Sequence, residues 1–407
     1  MDKKKIIYFF GGTQFLLIAM NGLWSYATIY FRELGFDSRQ IGLMSSIGTF
    51  LAMGMLPLLG VISDRYLSPR KVFLLMAVTL IATNALIPVC ALVFGTVFLP
   101  FAILVTIRTV GTQVSNSMLE SWAGAEMDRL HASFGNVRRF GSLGYVVMSL
   151  VASVLVGPVL PTSSVFVIMP TLGICMLLLS AGPRGRKLSG DREQKAKKQV
   201  NTKELLGLVF KNYYFVTFLF MVLAFDAFLA IVNLDMSYLM DYAGTAQSNI
   251  GVVGAVRAAT EIVVMILLSK QKKLPPLWIM MGLSGLLIAA EHLLYPSARG
   301  LGGMVAVTLC SGLAGGMYYG YGTNYVFQIV DHRAAGTAMS VLGLVKAAIG
   351  VVGSALGGEI IARSGVIALT NAVGMFALIM SVLFVATAVV GRIVLKKPYI
   401  HEESVVG

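Results

Sequence analysis

Twelve ionisable side chains fall inside long apolar runs of this 407-residue chain: Arg108, Glu120, Arg138, Arg139, Asp226, Asp235, Arg257, Glu261, Glu291, His292, Lys346 and Glu359. A charge in hydrocarbon costs about 3 kcal/mol on insertion scales, so such residues face a partner or a water-filled cavity and are functional candidates. Glu120 and Arg138 carry opposite signs on consecutive runs. A carboxylate beside a guanidinium can hydrogen-bond the hydroxyl groups of a solute, and Tyr145, two helical turns beyond Arg138, can offer a stacking face. The same pair can instead be a salt bridge that joins two helices. Asp235 and Glu359 lie within a few residues of the ends of their runs and read as interfacial. His292 reads as an interfacial histidine, and with Glu291 it forms a further titratable candidate near a run end.

The runs that position these residues are those of a polytopic membrane protein. Of the chain, 57% is hydrophobic and 13% charged, and the mean hydropathy is +0.81, whereas soluble domains carry about 25% charged residues. A helix needs roughly 20 apolar residues to cross a bilayer. Segmenting on that length gives spans near residues 6–31, 40–62, 72–94, 97–124, 137–157 and 163–182, then 212–240, 247–269, 277–294, 301–329, 336–361 and 368–391. The expected organisation is a six-helix bundle over 1–182, a basic linker over 183–211, a second six-helix bundle over 212–392 and a tail over 393–407.

The net charge of +13 would suggest nucleic acid in a soluble protein. Here Lys and Arg gather in the N-terminal segment, the even-numbered loops, the linker and the tail, while the opposite side keeps only Arg32, Arg39, Arg299 and Arg363. This positive-inside bias predicts two cytoplasmic termini in a cell membrane and accounts for the basic balance without nucleic acid. Cys90, Cys175 and Cys310 all sit in apolar runs, which excludes a disulfide scaffold or a cysteine zinc site and reads as three small buried hydrophobes. No Walker A, H-E-x-x-H or G-x-S-x-G motif occurs, so neither a primary pump, an intramembrane enzyme nor a cofactor or metal site is expected.

The loop after the second span reads Gly60-Val-Ile-Ser-Asp64-Arg65-Tyr-Leu-Ser-Pro-Arg70-Lys71. This resembles the signature of the major facilitator superfamily between helices two and three. The resemblance implies an all-α membrane fold of twelve transmembrane helices in two six-helix bundles, working by alternating access. Gly60 would permit close helix contact, and Asp64, Arg65, Arg70 and Lys71 would form a breakable latch between the halves.

Glu120 on the fourth span, followed by Gly135-Asn-Val-Arg138-Arg139-Phe140-Gly141-Ser142-Leu-Gly144-Tyr145, resembles the oligosaccharide:proton symporters typified by lactose permease. The resemblance assigns Glu120 and Arg138 to solute hydroxyls and Tyr145 to ring stacking, with tyrosine where that family has tryptophan. It also matches Asp226 and Lys346 to an interhelical charge pair, read here as mainly structural, and Glu261 to the glutamate that connects solute binding with the proton site. The family's histidine and glutamate on helix ten are replaced by Cys310-Ser-Gly-Leu313, and its helix nine arginine position is apolar. Arg257, one turn before Glu261, is a candidate to replace that arginine, because i and i+4 residues face one another. The implied function is monomeric secondary transport of a small hydroxylated solute, saccharide- or nucleoside-like, by proton symport. The alternatives are a drug or metabolite exporter anchored on Arg108 and a non-transporting sensor or assembly factor that keeps the fold.

Overall fold

The computed structural model describes residues 3–132, 134–182, 202–271, 275–331 and 334–397, leaving aside the side chains at 64, 65, 202–204 and 233. Within them, twelve helices are long and apolar enough to cross a membrane. The first half comprises Lys3–Trp24 continued by Ala27–Glu33, Ser38–Arg65, Pro69–Phe94, Phe98–Arg129, Gly135–Leu155 and Val165–Ala181. The second comprises Tyr213–Ala243, Ile250–Ser269, Leu277–Leu294, Gly300–Ile329, Ala335–Ser364 and Val366–Val389. They are called spans one to twelve below. Local chemistry sets several starts: Asp37 and Gln40 close a capping box on span two, Ser68 with Pro69 opens span three, and the Asn212 side chain accepts from the Phe215 amide. Every chain crossing must be helical because hydrocarbon offers no partner to backbone N–H and C=O groups. The outward faces accordingly keep large apolar side chains exposed, Leu92, Val154, Val167 and Leu267 among them.

Each half packs within itself through pairs such as spans one and five, three and four, eight and ten, and nine and twelve; the halves meet chiefly through span two on eleven and span five on eight. Connections alternate between two faces. The face carrying Lys3 and Lys397 is called the terminal face, and the other the distal face. Small residues let the halves touch at the distal face. A Cβ added at Gly42 would strike the Ser354 carbonyl, one at Gly358 the Ser38 carbonyl, and one at Gly251 the Ser149 carbonyl. Hydroxyls complete the seam: Ser38 Oγ donates to Gly358 O at 2.9 Å and Ser46 Oγ to Val351 O at 2.8 Å.

Within 183–211, Thr202–Phe210 forms a short helix with Val209 buried; residues 183–201 lie outside the described residues. Of the cysteines, only Cys90 is buried; Cys310 is half-buried and Cys175 exposed. Asp235 and His292, read from their places near run ends as interfacial, are both buried, because neighbouring helices cover them.

Candidate solute site and charge network

Between the halves, from the middle of the bundle toward the terminal face, lies a cavity of about 420 Å³ lined by Gln14, Ile18, Asn116, Glu120, Arg138, Gly141, Ser142, Tyr145, Arg257, Ala258 and Glu261. A second of about 390 Å³ is walled by Phe218, Tyr318, Tyr319, Thr323 and Lys346 of the second half. Arg138 lines both, so the two are lobes around one guanidinium. The helix spacing brings this about. Arg138 and Tyr145 lie seven residues apart on span five, two turns along one face, and Arg257 and Glu261 lie one turn apart on span eight.

Arg138 Nη1 donates to Glu120 Oε1 at 3.2 Å, and the two side chains are 59% and 44% exposed. A hydrated pair like this contributes about 0–1 kcal/mol to stability. Both partners therefore keep unused donor and acceptor capacity that an incoming hydroxyl can engage. Tyr145 accepts a long hydrogen bond, 3.4 Å, from Arg257 Nη2 across the two halves.

In the second half, Lys346 Nζ lies 3.8 Å from Asp226 Oδ2, and the Tyr318 hydroxyl donates to that same oxygen at 3.0 Å. Tyr318 is itself held by stacking on Phe225, with centroids 4.0 Å apart. Asp226 is buried while Lys346 reaches the cavity, so the pair joins the core of span seven to the solvated lobe. Glu261 lines the cavity on the same side as Arg257, and among the described residues no direct ion pair links them. Gly315 leaves room for the Glu261 carboxylate, since a Cβ there would lie 3.0 Å from Oε2.

The distal face is bridged by charge as well as by small residues. Arg32 Nη2 meets Asp241 Oδ2 at 2.5 Å, and Arg39 Nε meets Glu359 Oε2 at 2.7 Å. Glu359 also pairs with Arg363, one turn on. The Tyr26 hydroxyl donates to Ser248 O at 2.8 Å and accepts from the Gly251 amide at 3.2 Å.

Other predicted residues fall elsewhere. Arg70 is buried and donates to Ser180 O and Ala181 O of its own half, at 3.0 to 3.2 Å, tying span three to span six. Among the described residues, a Cβ on Gly60 would meet nothing within 4 Å, and Lys71 is exposed. The side chains of Asp64 and Arg65 lie outside the described residues. Arg108 is buried away from both lobes, donating to Asn84 Oδ1 at 3.2 Å and covering the Trp24 ring at 3.4 Å. Sequence reasoning missed Gln14, Asn116 and Ser142, uncharged polar residues inside apolar runs that a search for charges passes over. It also missed Tyr318 and Tyr319 of span ten, uncharged like the others.

Among solved structures, the chain is similar to a mutant of the nucleoside transporter NupG, with a TM-score of 0.79 and 17% identity over 94% of this chain and 99% of that one. It is similar to a POT family transporter in complex with 5-aminolevulinic acid, at 0.71 and 14% over 93% and 95%. A bacterial homolog of the human lysosomal transporter Spinster, inward-facing and unoccupied, matches at 0.68 and 15% over 98% and 99%. No curated protein matches the sequence. These likenesses carry the fold, and a family model matches residues 3–372. The chain is a multi-pass membrane protein with the major facilitator transporter fold, and it belongs to the MFS_1 like family.

Proposed function

We propose that this protein is a secondary transporter that moves a small hydroxylated solute, saccharide- or nucleoside-like, by rocking its two halves about the central cavity, coupled to proton symport. The observation that carries this reading is the hydrated Glu120–Arg138 pair, 3.2 Å apart in a cavity of about 420 Å³ at the seam between the halves. Carboxylate and guanidinium together both accept from and donate to adjacent hydroxyls. Gln14, Asn116 and Ser142 add uncharged partners around the same space, and Tyr145 supplies a ring. A solute site at a midplane repeat interface is the arrangement that alternating access requires.

In this reading residues 1–182 and 212–392 are the two moving bodies, 183–211 connects them and 393–407 is a tail. The positive-inside bias makes the terminal face cytoplasmic in a cell membrane, and a single chain suffices for the cycle. The conformation is then closed outward, by the distal seam, and open inward. Glu261, Arg257, Asp226 and Lys346 are the coupling network, with Glu261 linking solute occupancy to proton movement because it shares Arg257 with the cavity. The Asp226–Lys346 pair is mainly structural.

The test is a thermal-shift screen of the purified protein against saccharides, nucleosides and aromatic acids, followed by counterflow in proteoliposomes. Stabilisation by a hydroxylated solute that is lost in Glu120→Gln supports the reading. Stabilisation by aromatic acids alone, undiminished in Glu120→Gln, refutes it.

A further inference from the structure

The transport reading leaves unused the most deeply buried acids of the second half. Asp235 on span seven is 2% exposed and Glu291 on span nine 0%, both beneath the closed distal face. Glu291 Oε1 accepts from the Tyr295 hydroxyl at 2.6 Å; Glu291 Oε2 and Asp235 Oδ1 are buried with no hydrogen bond of ordinary geometry, and Ser311 lies beside the Glu291 carboxyl. The two carboxylates lie within electrostatic reach of each other, and among the described residues the cation that acts on both is Arg257. The neighbouring His292 turns Nδ1 to Ile288 O at 3.0 Å and leaves Nε2 unpartnered. Tyr295 bonds Glu291 and Cys310 lies within its electrostatic reach, while Tyr145 bonds Arg257 and Tyr319 and Glu261 lie within electrostatic reach of it.

With Glu261 on the cavity side set apart, two buried carboxylates against one guanidinium leave a full uncompensated charge in a low-dielectric interior, which is strongly disfavoured. One bound proton removes that charge, and Glu291 Oε2 and Asp235 Oδ1 are where it can reside. We infer that Asp235 and Glu291 together hold one exchangeable proton, and that Arg257 connects this buried site with the solute cavity. Arg257 is shared: it faces the buried pair on one side and lines the cavity with Tyr145 and Glu261 on the other. A void of about 20 Å³ touches Ser25, Tyr145, Met236, Arg257 and Thr308. That is room for one water between the cavity and the residue next to Asp235. When Arg257 leans toward Glu261 the buried pair keeps its proton; when it leans toward the pair, the proton leaves as H⁺ through the void or the opened distal face. The inference rests on the proton-coupled reading for its purpose, though the site is testable without it.

Infrared pH-difference spectroscopy of the full-length protein in lipid nanodiscs reads the C=O stretch of protonated carboxyl groups and requires no solute. We expect one such band at neutral pH, lost in Asp235→Asn and equally in Glu291→Gln, because a single remaining carboxylate balances Arg257. Arg257→Gln should double the band, Asp226→Asn should leave it unchanged, and Tyr295→Phe should move its frequency by removing the bond to Glu291. A band at full intensity in both Asp235→Asn and Glu291→Gln, or its absence from the unmodified protein, overturns the site. If those two variants do not fold, an unmoved band in Tyr295→Phe overturns it instead. A band that follows this pattern in a protein that never accumulates solute uphill upholds the site and sinks the symport reading.

Discussion

The Tyr145 phenol of the first half and the Arg257 guanidinium of the second meet at 3.4 Å where the solute cavity ends against the distal seam. A Cβ on Gly254, one turn before Arg257, would lie 3.1 Å from the same hydroxyl, so the ring is wedged against span eight. In the transport reading proposed above, Tyr145 touches a solute from one side and Arg257 from the other. Because the two residues belong to different halves, rocking in that reading changes their separation, and a solute stacked on the ring alters it.

Glu120→Gln should weaken solute binding by roughly 10- to 100-fold, since hydrogen bonds to charged groups contribute about 1.5–3 kcal/mol. Stability should barely change, because an exposed ion pair contributes about 0–1 kcal/mol. Calorimetric titration with the solute found in the screen, beside a thermal melt, separates the two effects. A melting temperature that falls in step with affinity returns the pair to a structural salt bridge.

Neutralising Asp226 or Lys346 alone should destabilise the protein, and Asp226→Asn with Lys346→Met should recover much of the loss. Breaking a buried pair costs about 3–5 kcal/mol. The lower end applies, because Lys346 is 38% exposed and partly hydrated. Removing the lysine should hurt more than removing the aspartate, since it strands a carboxylate in the core beside Tyr318. Thermal denaturation of the three variants in one detergent checks this, and a double variant as unstable as the worse single variant would contradict the pairing.

The distal seam should be easier to open without its charges. Asp241→Asn combined with Glu359→Gln removes the partners of Arg32 and Arg39, and two exposed pairs hold up to about 2 kcal/mol between them. We expect alkylation of a cysteine placed at Ser46, which now bonds Val351 O, to speed up severalfold. Raising the salt concentration should act in the same direction on the unmodified seam, through screening. An alkylation rate unaffected by both changes would assign the seam to the glycine contacts and hydroxyl bonds.

Glu261→Gln should preserve exchange of solute between two loaded sides and abolish uphill accumulation driven by a proton gradient. With Glu261 neutral, Arg257 is left to the buried Asp235 and Glu291, and its position no longer reports on the cavity. Proteoliposome uptake with and without an imposed pH gradient distinguishes the two modes. Accumulation that survives the substitution would falsify a coupling role for Glu261.

Twelve crossings, their limits within a few residues and the family were legible in the chain, because a bilayer demands about 20 apolar residues per crossing whatever the neighbours are. Candidate pairs were legible for a related reason: a charge in hydrocarbon is rare enough to stand out, so Glu120, Arg138, Asp226 and Lys346 announce themselves. Their meeting, though, is a property of packing. Spans four and five are neighbours in sequence, whereas Asp226 and Lys346 are brought to 3.8 Å only by the packing of span seven on span eleven. The tertiary structure alone decided that Arg70 reaches the Ser180 carbonyl of span six, since that contact depends on how spans three and six pack. It alone decided that Asp235 and His292 are buried, because distance from a helix end measures depth along one axis and says nothing of what covers the side chain. And it alone brought Asp235 of span seven and Glu291 of span nine within reach of Arg257, whereas the Arg257–Glu261 relation was already encoded by their i, i+4 spacing.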